Sequence, residues 1–336
     1  MLPRLGHLAF QISSSVFFAA NWRQNLSNSP HDDLREEMAK LRSRIDSLEL
    51  QLASVHARQF LPMPPFSGGS SEVTFMPFST CSAVDFLHPR YKEICDLIKH
   101  HFMWHRKLWE WVFVIHRLLE SGAVKSGNRG LVFGVGHERL PALFASMGAT
   151  IVATDAPSEF AEKTGWIDST EHASGLKDLR FTDIVDGVVF DANVSYQICD
   201  MNNIQPELAE FDFNWSSCCF EHLGTLEAGM QFVINAVEKT LKVGGVAVHT
   251  TEYNLSSNAE TVESGITAIY RHRDLLELVQ RLRDRGHIVK PFIVAPNSHY
   301  WDFHIDVPPY LEKPHLKLLL GKYVTTSAGI VVQRGR

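Results

Sequence analysis

The residues whose types and spacing carry chemistry cluster around Gly134, Gly136, Glu138, Asp155, Asp200 and Met201. Gly134-Val135-Gly136 follows the apolar run Gly130–Phe133 and precedes a helical stretch that opens with Leu140 and Pro141. Proline's missing N–H costs nothing at that position. Glycines at a strand-to-helix turn let the backbone approach a ligand closely. The third glycine of a dinucleotide fingerprint is absent, and Glu138 stands two residues after Gly136. A carboxylate near a helix start repels a pyrophosphate and attracts a cation. The turn therefore points away from NAD and toward a nucleoside with a positively charged part. Asp155 ends the strand-like run Thr150–Thr154, about 20 residues past the turn, the spacing of a carboxylate that accepts ribose hydroxyls. Asp200 ends VSYQICD. It could accept from an adenine amino group while Met201 covers the ring. The plainer reading of both aspartates is a cap or turn carboxylate. Two successive strand ends put them at the carboxyl edge of a sheet, where open α/β sheets bind ligands.

S-adenosylmethionine (SAM), with its sulfonium and ammonium groups, fits that charge requirement. Methyl transfer asks mainly that a nucleophile be held near attack distance, about 3–3.5 Å. A hydroxyl nucleophile needs in addition a base or a polarising cation. Glu221 and His222 follow the fourth strand-like run, and His249 and Glu252 come at or beyond the carboxyl end of the fifth. The segment HYWDFHIDVPPY adds His299, Asp302, His304 and Asp306. In one reading His222 or His304 is the general base, oriented by Glu221, Glu252 or Asp302. In another, Asp302-x-His304-x-Asp306 offers metal ligands on one face of an extended segment. In a third these groups are structural. Tyr300 and Trp301 suit either stacking on the flat face of a ligand or core packing, and Trp166 and His172 are candidates for the acceptor pocket.

The elements that must position these groups follow from periodicity. GLVFGV, TIVATD, VSYQICD, FDFNWSSCC, GGVAVHTTE, HIVKPFIVA and SAGIVVQR read as strands. Leu140–Met147, Thr225–Leu241 and Arg271–Arg285 read as helices between them, and His88 to Ala123 as one or two helices with Trp104, Trp109 and Trp111 in the core. That alternation predicts a mostly parallel, doubly wound sheet. Upstream, Leu34, Met38, Leu41, Ile45, Leu48, Leu52 and Val55 recur in steps of four and three. This is a heptad repeat with Met38, Ile45 and Leu52 at a, and the others at d. It predicts a self-associating coiled coil over residues 32–58, against the alternative of one amphipathic helix on its own domain. Residues 61–80 are rich in Pro, Gly and Ser and read as a linker. The expected organisation is an N-terminal segment (1–31), a coiled coil (32–58), a linker (59–85) and an α/β domain (86–336).

Composition narrows the partners. Apolar residues make up 45% and charged residues 21%, with a formal net charge of −6, so no overall positive field draws the chain to nucleic acid or an anionic membrane. Five scattered cysteines make no disulfide scaffold and fit a reducing, cytoplasmic setting. Without a long apolar run, a membrane span is not expected. Residues 1–22 resemble a poor secretory signal, but Gln11 and Ser13–Ser15 interrupt the apolar stretch, and a frayed or packed N-terminal segment is the favoured reading.

FGVGHERLPALFASMGATIVATD, YQICDMNNI, FDFNWSSCCFEHLG and LKVGGVAVHTTEYN together resemble the successive motifs of class I SAM-dependent methyltransferases. The nearest likeness is to bacterial methyltransferase-domain proteins of surface-polysaccharide and glycan assembly, over about residues 90–336. The resemblance implies a Rossmann-like, doubly wound seven-stranded sheet, here with an N-terminal coiled-coil helix, and SAM as cofactor. It implies O-methylation of a sugar or glycan precursor. It carries the glycine-loop role onto Gly134 and Gly136, the ribose acid onto Asp155 and the adenine acid onto Asp200 beside Met201. The post-strand-four segment falls on Ser217–His222 and the Lys-x-Gly-Gly turn on Lys242, Gly244 and Gly245. Two positions depart from the pattern: Val132 replaces an acid and Glu138 a glycine. A catalytically degenerate nucleotide-binding domain on a coiled-coil assembly protein, or an NAD-dependent oxidoreductase or epimerase, are the alternatives.

Overall fold

The computed structural model describes residues 30–60, 74–157, 172–310 and 314–336, with side chains in its first helix described over residues 34–51. The sequence features read in residues 1–29 and at Trp166 lie outside these. The chain divides into two units, Met1–Gln59 and Phe60–Arg336. In the first, one helix, α1, runs Pro30–Phe60.

The second unit is built on a sheet whose strands are β1 (Arg129–Phe133), β2 (Thr150–Asp155), β3 (Val194–Ile198), β4 (Phe211–Ser217), β5 (Leu241–Asn254), β6 (Ile288–Val289), β7 (Leu318–Leu320) and β8 (Tyr323–Gln333). Their order is β3-β2-β1-β4-β5-β8-β6, with β7 pairing to β8. β3 through β5 are mutually parallel, and β8 runs antiparallel between β5 and β6. Order, parallel pairing and intervening helices define a Rossmann-like α/β fold. The expected count of seven strands becomes eight among the described residues. The extra strand is a short hairpin arm, made possible by the turn at Gly321, where φ is 61°.

The strand alternation that encodes this sheet is visible in its two cores. Val132, Phe213, Trp215, Val246, Val248 and Val331 face one side. Leu131, Phe133, Ala247, Ile330 and Val332 face the other. Successive side chains point to opposite faces of a strand, so each strand feeds both layers. The first layer holds α2 (Ala83–Leu87), α3 (Pro89–Leu97), α4 (Arg106–Glu120), α5 (Leu140–Ser146) and α6 (Gly187–Asn193). The second holds α7 (Leu226–Asn235) and α8 (His272–Asp284).

The linker expectation is corrected from residue 74 onward. Phe75, Met76, Cys81 and Ala83 are buried in the first core layer. Thr80 bridges to Ala328 of β8, and Cys81 N–H donates to Ser327 carbonyl at 2.9 Å. The proline- and glycine-rich composition that suggested a linker belongs to residues 61–73, outside the described region. Among the described residues no helix is long and apolar enough to cross a membrane. The five cysteines are free, four buried and Cys219 half-buried.

Candidate active-site cleft

A cleft of about 320 Å³ opens at the carboxyl edge of β1, β2 and β4. That volume lies at the small end of the range for ligand sites, about 300–1,000 Å³. Its walls include Gly134, Gly136, Glu138, Asp155, Met201 and His222 from among the residues singled out by sequence.

The glycine turn is held by position rather than by choice. Gly134 and Gly136 have φ of 59° and 50°, a left-handed region that disfavours side chains. A Cβ on Gly134 would meet Cys219 Sγ at 2.6 Å. Gly134→Ala is therefore expected to cost about 2 kcal/mol from strain and the clash together. Thermal denaturation should show that loss partly recovered in the Gly134→Ala/Cys219→Ala double variant. No recovery would remove the clash from the account.

Asp155, buried at the end of β2, accepts from the backbone N–H groups of Gly136 (2.9 Å), Ala156 (2.8 Å) and Ala173 (3.0 Å). Burial holds its carboxyl above the usual range despite these three donors. It thus fixes the glycine turn while forming part of the cleft wall. Glu138 does not project from the start of α5. Its Oε2 accepts from the Trp215 indole at 3.0 Å, and burial pushes its carboxyl up to about 7. Met201 is buried against the turn. Asp200 is exposed, accepts from Asn202 N–H at 2.9 Å and is outside the cleft wall. Its geometry is that of a turn carboxylate.

His222 closes a 3₁₀ turn, Phe220–His222, directly after β4. Its Nδ1 lies 2.7 Å from the Ile266 carbonyl. A carbonyl only accepts, so Nδ1 carries the hydrogen and the neutral ring's lone pair sits on Nε2. The orienting group is thus Ile266 and not Glu221. Glu221 is fully buried, taking the Cys218 thiol at 2.5 Å and the Thr251 hydroxyl at 3.0 Å.

His304 does not reach the cleft. The segment is not extended where the ligand pattern needs it to be: Tyr300–Phe303 is a 3₁₀ helix, so alternation fails and the three side chains part. Asp302 accepts from Ala83 N–H at 2.9 Å, while Asp306 accepts from His315 Nδ1 at 2.7 Å. Both carboxylates tie loops together. His172 reaches the Ala156 carbonyl with Nε2 at 2.9 Å, a brace behind the wall. His249 is fully buried beside Ser216 Oγ at 2.8 Å, and burial lowers its pKa to about 3.

Sequence reasoning missed the contribution of α4. Lys107, Glu110 and Trp111 form part of the cleft wall. Beneath them Glu110 accepts from Thr250 (2.5 Å) and Ser327 (2.6 Å), and Arg106 Nη2 pairs with Glu252 at 2.8 Å. The available signal was Arg106 and Glu110, an i,i+4 ion pair in the first turns of a largely apolar helix. Cys218, Glu221 and Glu252 have donor atoms within 4.8 Å of one another. Arg106 already supplies the positive charge there that a metal would bring.

No protein-family model matches the chain, and no curated protein sequence matches it. Among solved structures it is similar to a TehB-like SAM-dependent methyltransferase from Corynebacterium glutamicum, with 15% identity, a TM-score of 0.37 and coverage of 73% of this chain and 94% of that one. It is similar to a 1,6-didemethyltoxoflavin-N1-methyltransferase from Burkholderia thailandensis, with 14% identity, a TM-score of 0.38 and coverage of 66% and 76%. The third is phosphoethanolamine N-methyltransferase 2 from Haemonchus contortus, bound to SAM, with 14% identity, a TM-score of 0.40 and coverage of 67% and 53%. Likenesses this distant assign no activity, and the fold class rests on the strand order itself.

Proposed function

We propose that this chain is a SAM-dependent O-methyltransferase whose acceptor is a hydroxyl of a sugar or glycan precursor. The observation that carries the proposal is the glycine turn pinned by a strand-end carboxylate, with buried Glu138 on the same wall. That combination suits a nucleoside with a cationic centre and opposes a pyrophosphate. The residues present fit SAM. Asp155 Oδ1 holds one backbone donor and keeps capacity for a ribose hydroxyl, Met201 offers an apolar surface for a base, and Glu138 offers negative charge.

SAM, when bound, supplies an electrophilic methyl group on a sulfonium. The chain's own residues have the rest of the task. The Nε2 lone pair of His222 takes the proton from the acceptor hydroxyl. Ile266 carbonyl keeps the imidazole in that tautomer. Trp111 and the buried floor exclude water, and Lys107 supplies a cation suited to an acceptor that carries phosphate. The sugar assignment draws on the motif resemblance alone.

Calorimetric titration of the purified chain with SAM, S-adenosylhomocysteine and NAD tests the reading. The expected result is micromolar binding of the first two and none of NAD. Binding of NAD alone would replace the proposal with a dinucleotide enzyme, and binding of none would leave a degenerate domain.

A further inference from the structure

Five apolar side chains of α1, Leu34, Met38, Leu41, Ile45 and Leu48, are 49% to 55% exposed. They recur at heptad a and d positions, so they form one seam along a helix of 31 residues. A seam of large apolar groups facing water is stabilised by a second such seam. Which seam it fits is written in the flanking charges. The g positions are Glu37 and Arg44, and the e positions include Arg42 and Glu49, all exposed. We infer that α1 pairs with α1 of a second copy of this chain as a parallel, in-register, two-stranded coiled coil.

In a parallel pair each g residue faces the e residue of the next heptad on the other helix. In register, Glu37 faces Arg42 and Arg44 faces Glu49, and two-fold symmetry repeats both. All four contacts are attractive. A slip of one heptad puts Glu37 against Glu49 and Arg44 against Arg42, two like-charge contacts against the single attractive contact of Glu37 with Arg35. An antiparallel pair sets g against g, so near full overlap Arg44 meets Arg44 of the second copy. Ile45 at a with Leu34, Leu41 and Leu48 at d favours two strands over three. This inference is independent of the chemistry assigned to the cleft.

The test uses the full chain and two charge-swapped variants. Glu37→Arg/Arg44→Glu reverses the g positions, and Arg42→Glu/Glu49→Arg reverses the e positions. Light scattering should find the unaltered chain dimeric. Each variant alone should self-associate about a hundred-fold more weakly, since four attractive contacts become four repulsive ones. Mixing the two should restore a one-to-one dimer, which also shows that both variants fold. Leu41→Cys, in the unaltered background, should oxidise to a covalent dimer because equivalent d residues meet only in a parallel, in-register pair. A monomeric unaltered chain, a trimer, or a dimer that Leu41→Cys fails to cross-link would each overturn the inference. So would charge-swapped variants that dimerise as well alone as mixed.

Discussion

Asp155→Ala should lower SAM affinity by about 1–3 kcal/mol, roughly five- to 150-fold, and destabilise the fold as well. Three backbone N–H groups now end on this carboxylate, and two of them, on Gly136 and Ala173, share one oxygen. Removing it leaves buried donors without an acceptor, each costing about 1–3 kcal/mol when unsatisfied. The glycine turn then loses the anchor that shapes the cleft. Asp155→Asn separates the two roles, because it keeps one acceptor and loses the charge. Its stability should fall between those of the parent and the Ala variant, read by thermal denaturation. Titration of both variants at one temperature checks the binding arm. SAM affinity unchanged in Asp155→Ala would take Asp155 out of the cofactor site and leave it a purely structural brace.

Glu138→Gln should give a pH-dependent exchange of stability for binding. Burial raises the Glu138 carboxyl from 4.5 to about 7. A group whose folded pKa is raised contributes stability that is fully present below its unfolded pKa and lost as pH rises through the folded one. For Glu138 that window runs from 4.5 to about 7. The loss across it is on the order of 3 kcal/mol. Glutamine keeps an acceptor for the Trp215 indole and has no charge to bury. The variant's Tm should therefore match the parent near pH 4, below that window, and exceed it at pH 8. Binding of the cationic cofactor should move the other way. Parent affinity for SAM rises about ten-fold from pH 6 to 8 as the carboxylate ionises, while the variant's stays flat and weaker. A flat profile for the parent would show that Glu138 does not sense the cofactor's charge.

The sheet was legible because strand alternation and glycine punctuation are local signals. Val132 and Leu131, or Val248 and Ala247, sort to opposite layers by parity alone. The glycine turn and Asp155 were legible for the same reason: each sits at a fixed offset from a strand end. What stayed hidden depends on long-range contact. Glu110 reads as one half of a local pair with Arg106 until Thr250 and Ser327 are brought to it from β5 and β8. Glu221 reads as the natural partner of adjacent His222, yet a 3₁₀ turn sends it into the core and leaves His222 on the cleft wall. His304 and its two aspartates were misplaced by assuming an extended backbone. The short strand Leu318–Leu320 carries no alternation that distinguishes it from a buried loop.

The position of β8 in the sheet also has a cost in time. β5 ends at Asn254, and its antiparallel neighbour begins at Tyr323. A ribosome adding roughly 5–20 residues per second takes several seconds to cross that gap. Throughout that interval β5, with its apolar Val246, Ala247 and Val248, presents an unpaired edge that any passing strand could extend. Slow synthesis or a slowly arriving chaperone should therefore show first as aggregation through this edge. A Lys introduced at exposed Val243, at the start of β5, is the natural place to blunt it.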